Sequence, residues 1–192
     1  MIKSAGWAMA LAGVLTAAVA GYFALVPPTP ADDPVDGRPV AQPVWNEVKW
    51  PFPIDQWGTG RAFACKAADC GSAVALYLRA KLGSCNCATG IADDADLDRM
   101  SDFDLVGGEV SPFASGRPIT IGWMKGRSRA YALTARNWLG KSALSVVFND
   151  RCDMVVATIV LSAGQPAAIE PSVIDFLGSK SILHWVELEL GI

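Results

Sequence analysis

A long uncharged stretch near the N-terminus limits where a folded domain can begin. Residues 6–26 hold 21 positions without a charged side chain. At about 1.5 Å per residue, a helix of that length spans the roughly 30 Å hydrocarbon core of a bilayer. Lys3 precedes the stretch and Asp32 is the next charged residue, so the positive-inside rule places the rest of the chain outside the cytoplasm. We predict one N-terminal transmembrane helix within residues 1–26.

A long signal segment is the alternative for residues 1–26. The small residues at 18–20 and at 29–31 both resemble signal-peptide cleavage sites, but the apolar part of a signal usually runs only about 7–15 residues. The anchor is therefore favoured, and both alternatives export the remainder of the chain. We predict a single-pass protein of a bacterial inner membrane, held through residues 6–26, with its C-terminal domain in the periplasm. Cleavage would instead release that domain into the periplasm.

A proline-rich segment separates the anchor from the domain. Residues 27–43 contain six prolines in 17 positions, a composition typical of an extended, semi-rigid spacer. Residues 44–192 remain as one exported domain, long enough to build a core of its own. They carry 14 basic and 16 acidic side chains, a net charge of −2, without the basic surplus that nucleic-acid binding needs. We expect no nucleic-acid partner.

The hydrophobic pattern predicts an α+β domain with a mainly antiparallel sheet and two or three helices, since helical patterns come early and strand patterns late. The residues from Ala143 to Phe148 and from Met154 to Leu161 are apolar on both faces, which is typical of central strands. The other predicted elements are strands at 61–66, 118–124, 129–134 and 182–190, and helices at 72–82, 93–105 and 171–177. A turn at 125–127 would join the two middle strands.

Five cysteines offer either structural disulfides or a thiol site. Exported proteins favour disulfides. Cys85 and Cys87, two residues apart on a strand, would lie about 7 Å apart, too far for a bond with each other. We expect each to pair with another cysteine, such as Cys65 or Cys70. Cys152 makes the number odd, so one thiol stays free or pairs between chains.

A thiol redox or metal-handling function is the alternative use of these residues. Four thiolates from Cys65, Cys70, Cys85 and Cys87 would suit Zn²⁺ or Cu(I), although their spacing departs from that of zinc ribbons. Cys70, near a predicted helix N-terminus, would have its thiolate favoured by the helix dipole. We otherwise expect no cofactor.

Two further groups of residues are candidates for docking a partner. Trp45, Trp50 and Trp57 lie in an aromatic segment that either packs on its own domain or presents a patch to a partner or membrane. Six aspartates crowd positions 93–104, whereas no acidic residue occurs between Glu109 and Asp150. The basic residues of that second stretch are either solvated or face anionic lipid or an acidic partner; the docking candidates are Lys125, Arg127 and Arg129.

Catalytic motifs do not stand out. His184 is the only histidine, and on the predicted last strand it shares a face with apolar residues, as a core histidine would. No nucleophile-elbow sequence accompanies it. The leading hypothesis is therefore a membrane-tethered periplasmic binding or assembly module with structural disulfides, without catalysis, whose partner is another envelope protein.

Overall fold

The computed structural model describes residues 43–192. The predicted anchor at 1–26 and all of the spacer except Pro43 lie outside these residues. Within the described range, no helix combines the length and the hydropathy that a bilayer-spanning segment requires.

One antiparallel sheet of eight strands forms the centre of the domain, which confirms the predicted α+β class. Strands β3, β8, β7 and β6 occupy its middle, β1 and β2 extend one side, and β4 and β5 both pair with β6 on the other. The bounds are β1 Asn46–Val48, β2 Arg61–Cys65, β3 Val74–Lys81, β4 Val110–Pro112, β5 Arg117–Ile121, β6 Met124–Leu133, β7 Ser142–Asp150 and β8 Asp153–Leu161.

Helices cover both faces of this sheet. Against one face pack α3 and α4, whose buried residues join those of β2, β3, β7 and β8 in the main core. Against the other face lie α2 and a 3₁₀ turn, over two smaller apolar clusters. This explains why β7 and β8 are apolar on both sides, as predicted. The helices are α1 Ala67–Cys70, α2 Asp94–Met100, α3 Pro166–Leu177 and α4 Lys180–Leu190, with 3₁₀ turns at Phe103–Val106 and Arg136–Trp138.

The helix predicted at 72–82 is wrong, because this segment is strand β3. Val74, Leu76 and Leu78 are buried on the α3–α4 side. The buried apolar residues therefore recur at every second position, as they do in a strand. The helix was predicted because Val74, Tyr77, Leu78 and Leu82 also recur at spacings of three and four residues. Arg79 and Lys81 are buried as well, although charged residues usually mark a solvated surface.

The strand predicted at 182–190 is also wrong, because this segment is helix α4. Ile182, Val186 and Leu190 are buried, and residues four positions apart share a face of a helix as well as of a strand. The residues between them distinguish the two. His184 and Leu188 are exposed, so His184 is a surface residue and not the core histidine that a strand implied.

The remaining elements differ from prediction mainly in their bounds. The predicted helix at 93–105 is divided into α2 and the 3₁₀ turn, with Asp93 as the N-cap that accepts from the amide of Asp96. The predicted short helix begins five residues earlier, at Pro166. The hairpin turns at Gly122 and Trp123 instead of 125–127, which places Lys125, Arg127 and Arg129 inside β6.

Candidate functional site

Two disulfides confirm the prediction of structural disulfide bonds in the domain. The expected pairing of Cys85 and Cys87 with Cys65 or Cys70 is wrong. Cys65 bonds Cys70 across the junction of β2 and α1, and Cys87 bonds Cys152 in the β7–β8 turn. No helix separates the cysteines as predicted, because 72–82 is a strand. The four thiols of the metal alternative are therefore not gathered at one place.

Cys85 is the free cysteine, and it is buried. Its Sγ donates to the carbonyl of Arg151 at 3.3 Å, and its backbone amide donates to the carbonyl of Cys152 at 3.2 Å. Burial, together with the negative charge of Asp153, raises the pKa of this thiol. Formation of its thiolate therefore requires a higher pH than for an exposed cysteine.

The tryptophans of the N-terminal segment contact their own domain. Trp45 stacks on Phe176 of α3 with ring centroids 5.0 Å apart. Trp50 meets Tyr77 of β3 edge to face, and Trp57 lies under the ammonium of Lys81 at 5.6 Å. All three are only partly exposed. The geometry supports the packed arm.

The acidic and basic stretches of the sequence bind each other. Asp94 of α2 accepts from Arg127 at 2.5 Å and from the amide of Gly116 at 2.9 Å. Asp98, one turn further along α2, accepts from Arg129 at 2.8 Å and from the hydroxyl of Tyr131. The amide of Gly116 and the charge of Arg127 lower the pKa of Asp94. Two of the three basic docking candidates are therefore neutralised by the chain's own helix.

A buried ion cluster that the sequence analysis missed lies further along the same face. Asp102 accepts from Arg79 through both carboxylate oxygens, at 2.8 and 3.0 Å, and forms an ion pair with Lys81 at 2.5 Å. Asp55 bonds the remaining end of Arg79 at 2.6 Å. The alternation of β3 would have placed Arg79 and Lys81 on one face, had it been assigned as a strand.

A cleft lies where the loop that carries Cys87 approaches the hairpin of β5 and β6. Its volume is about 260 Å³. Ile91 and Ala92 form the loop side, Pro118 and Ile119 form the β5 side, and Gly126 lies in β6 between them. Polar side chains complete the lining: Thr89, Thr120, Lys125, Arg127 and Asn149.

Packing and the second disulfide fix both walls of this cleft. Ile91 is buried in a cluster with Leu97 and Val147, and its amide donates to Asn149 at 3.3 Å. Gly90, at φ +61°, approaches the Asn149 side chain so closely that a Cβ would lie 2.4 Å from its Oδ1. The loop therefore cannot swing away without breaking buried contacts.

Lys125 is the uncompensated charge of the cleft. Its strand partners are Thr120 on β5 and Asn149 on β7. Both side chains therefore lie on the same face of the sheet as Lys125, each with its Cβ about 5 Å from that of Lys125. Among residues 43–192, the Lys125 ammonium has no hydrogen bond or ion pair with a side chain. One cation with two threonine hydroxyls nearby is an arrangement that suits an anionic group. Thr120 and Asn149 were missed because the predicted turn put Lys125 outside the strands.

His184 offers little to a nucleophilic mechanism. Its side chain is 71% exposed on α4, and its ion-pair partner is Glu187 at 3.6 Å. Among the described residues, it forms no hydrogen bond with a serine or cysteine.

Comparison with known proteins gives one weak structural likeness. No protein-family model matches the chain, and no curated protein matches it in sequence. The solution structure of cyanobacterial PsbP (CyanoP) from Synechocystis sp. PCC 6803 is 12% identical to this chain, with a TM-score of 0.42 over 70% of this chain and 77% of that one. A likeness at this level carries no argument about function.

Proposed function

We propose that the chain is an exported, non-enzymatic binding module, tethered to the bacterial inner membrane through residues 6–26, with its domain in the periplasm. Two disulfides in one domain favour an oxidising compartment, because cytosolic thiols are kept reduced. The 21 uncharged residues at 6–26 support the tether.

The binding site in this proposal is the cleft beside Lys125, and its ligand is an acidic group of an envelope protein. The observation that carries the proposal is the unpaired ammonium of Lys125 in a cleft whose other cation, Arg127, is paired with Asp94. A volume of about 260 Å³ is below the usual range for whole small-molecule ligands. It suits one anchoring side chain, such as a glutamate or aspartate of a partner, better than a cofactor.

The walls of the cleft are already in place before a partner binds. Ala92 and Pro118, both exposed, provide apolar surface in the cleft that holds the cation, and interface hot spots cluster in pockets from which binding excludes water. Because the Cys87–Cys152 bond and the Asn149 contacts hold the loop in place, little conformational entropy is lost on binding.

Site-specific photocrosslinking in native membranes tests this proposal. A photoreactive residue replaces Thr120 in the full chain, and a second version carries it at Ser181, which is exposed on α4. We expect a protein adduct from position 120 and none from 181. In the position-120 background, Lys125→Glu is expected to reduce the adduct about five- to tenfold, while Lys125→Arg retains it.

Two results would overturn the proposal. One is an equal adduct yield from both positions, and the other is an adduct that Lys125→Glu leaves unchanged. Because Lys125 is exposed at its strand position, its replacement is expected to leave the melting temperature within a few degrees of the parent's. That measurement separates lost binding from lost folding.

A further inference from the structure

Three of the five cysteines meet at the β7–β8 turn. Cys152 lies in that turn, Cys87 bonds it, and Cys85 lies two residues before Cys87. Cys85 is 8% exposed, whereas Cys87 is exposed at its position. A buried free thiol is therefore held next to a disulfide with one sulfur toward solvent.

Backbone contacts bring Cys85 within reach of Cys152 as well. The amide of Cys85 donates to the carbonyl of Cys152 at 3.2 Å, and backbone bond lengths limit the separation of two Cα atoms joined in this way to about 7 Å. Disulfides form at Cα separations up to about that limit. The thiol of Cys85 also donates to the carbonyl of Arg151, the residue before Cys152.

The turn that carries Cys152 is a strained one. Asp150 pairs with Asp153, so Arg151 and Cys152 are the two turn residues. Arg151 has φ +50° and is the non-glycine residue with positive φ among residues 43–192. A long side chain is disfavoured at this position, which glycine or asparagine usually occupies. A small rearrangement of this turn would move Cys152 relative to its two neighbours and relieve that strain.

We propose that Cys85, Cys87 and Cys152 form a thiol–disulfide exchange site in which Cys152 bonds either Cys87 or Cys85. In the exchange, Cys85 loses its proton and its thiolate attacks Sγ of Cys152. The Cys85–Cys152 bond forms, the Cys87–Cys152 bond breaks, and its electron pair passes to Cys87. Cys87 then takes up a proton, so no oxidant or reductant is consumed. The result replaces a buried thiol by an exposed one.

The exposed Cys87 thiol is the functional product of this exchange. Cys87 lies in the loop that ends at the cleft, two residues before Thr89. A protein disulfide on a bound partner is the class of reactant that it would meet there, by ordinary thiol attack. The exchange itself requires only these three residues and stands independently of what binds the cleft.

Mapping of disulfides in the Cys87→Ser variant tests the exchange. We expect the oxidised full chain to contain Cys85–Cys152 and Cys65–Cys70 with no free thiol, as read by alkylation under denaturing conditions and peptide mass spectrometry. Two free thiols at Cys85 and Cys152, or a disulfide-linked dimer, would overturn the proposal.

Prolonged alkylation of the native, unmutated chain provides the second measurement, which decides the question even where the variant fails to fold. With N-ethylmaleimide, we expect the label to accumulate on Cys87, together with a Cys85–Cys152 bond. The Cys85→Ser variant is the matched control and should take no label at Cys87. Label on Cys85 alone, or no label in the native chain, contradicts the exchange.

Discussion

Asp102 is the side chain on which two buried cations depend. Arg79, Lys81 and Asp102 are each less than a tenth exposed, so little water can replace a lost partner. Only Asp55, itself partly exposed, remains as a second carboxylate for Arg79. Removing one member of a buried ion cluster leaves an uncompensated charge, which is more costly than the net contribution of the pair.

We predict that Asp102→Asn lowers the free energy of unfolding by about 3 kcal/mol. Urea denaturation followed by tryptophan fluorescence measures this, since Trp57 lies beside Lys81. Asp104→Asn is the matched control, because Asp104 is exposed in the same acidic stretch and should change stability by less than about 0.5 kcal/mol. A loss below about 1 kcal/mol for Asp102→Asn would contradict the role given to this cluster.

At the level of single residues, the sequence identified the charged side chains but not which of them form ion pairs. Lys125, Arg127 and Arg129 were recognisable as a basic group, and the aspartates at 93–104 as an acidic one. Their mutual neutralisation depends on α2 lying over β6, a contact between segments that are distant in the chain. No local pattern carries that information, which leaves Lys125 as the one of these three cations without an ion pair among residues 43–192.

Among elements, α2 is held on the sheet by charge as well as by its one buried apolar residue. Leu97 is the residue of α2 buried in the core, whereas Asp94 and Asp98 reach Arg127 and Arg129. An element with so little apolar contact depends on these carboxylates for its attachment.

Acid is therefore expected to weaken the α2 attachment. Because the Gly116 amide and Arg127 lower the pKa of Asp94 in the folded chain, its stabilising contribution is complete above about pH 4, the ordinary value. It is lost as the pH falls further, through the folded-state pKa. We predict that the urea midpoints of the parent and of Asp94→Asn differ at about pH 6 and converge towards about pH 2.

Asp175→Asn is the control for this titration, since Asp175 is exposed on α3, away from the basic strand. Its midpoint should follow that of the parent chain at every pH. A gap between the parent and Asp94→Asn that stays constant down to about pH 2 would show that the charge of Asp94 does not hold α2.

Element type was predictable where a segment is apolar on both faces and rich in β-branched residues. The segments of β7 and β8 are long, apolar and rich in valine, and they were identified correctly. β3 was predicted as a helix and α4 as a strand, because apolar residues four positions apart share one face in both kinds of element. Tertiary contacts decide such cases: β3 lies between β2 and β8, and α4 packs on the sheet that they form.

For the whole molecule, the two disulfides close loops of very different length. Cys65 and Cys70 are 5 positions apart, whereas Cys87 and Cys152 are 65 apart. In the chain-entropy model, the longer loop restricts the unfolded chain more, by about 4 kcal/mol against about 2 kcal/mol.

We predict that the paired replacement Cys87→Ala with Cys152→Ala lowers unfolding stability about twice as much as Cys65→Ala with Cys70→Ala. Denaturant unfolding under non-reducing conditions measures both variants, and the oxidised parent chain provides the reference. Equal losses, or a larger loss for the Cys65 and Cys70 pair, would mean that local packing around the bonds outweighs their effect on the unfolded chain.

The position of β3 in the sheet limits the order in which its strand pairs can form during folding. Its two neighbours are β2, separated from it by eight residues that include α1, and β8, whose first residue comes 72 positions after the end of β3. A ribosome or a translocation pore delivers the chain from its N-terminus, so β3 emerges long before β8. Until β8 emerges, the edge of β3 that will pair with it has no partner strand. Such an edge invites pairing with other chains. The residues between β3 and β8 include the aspartates of α2 and the arginines of β6, charged side chains of the kind that oppose association at an open edge.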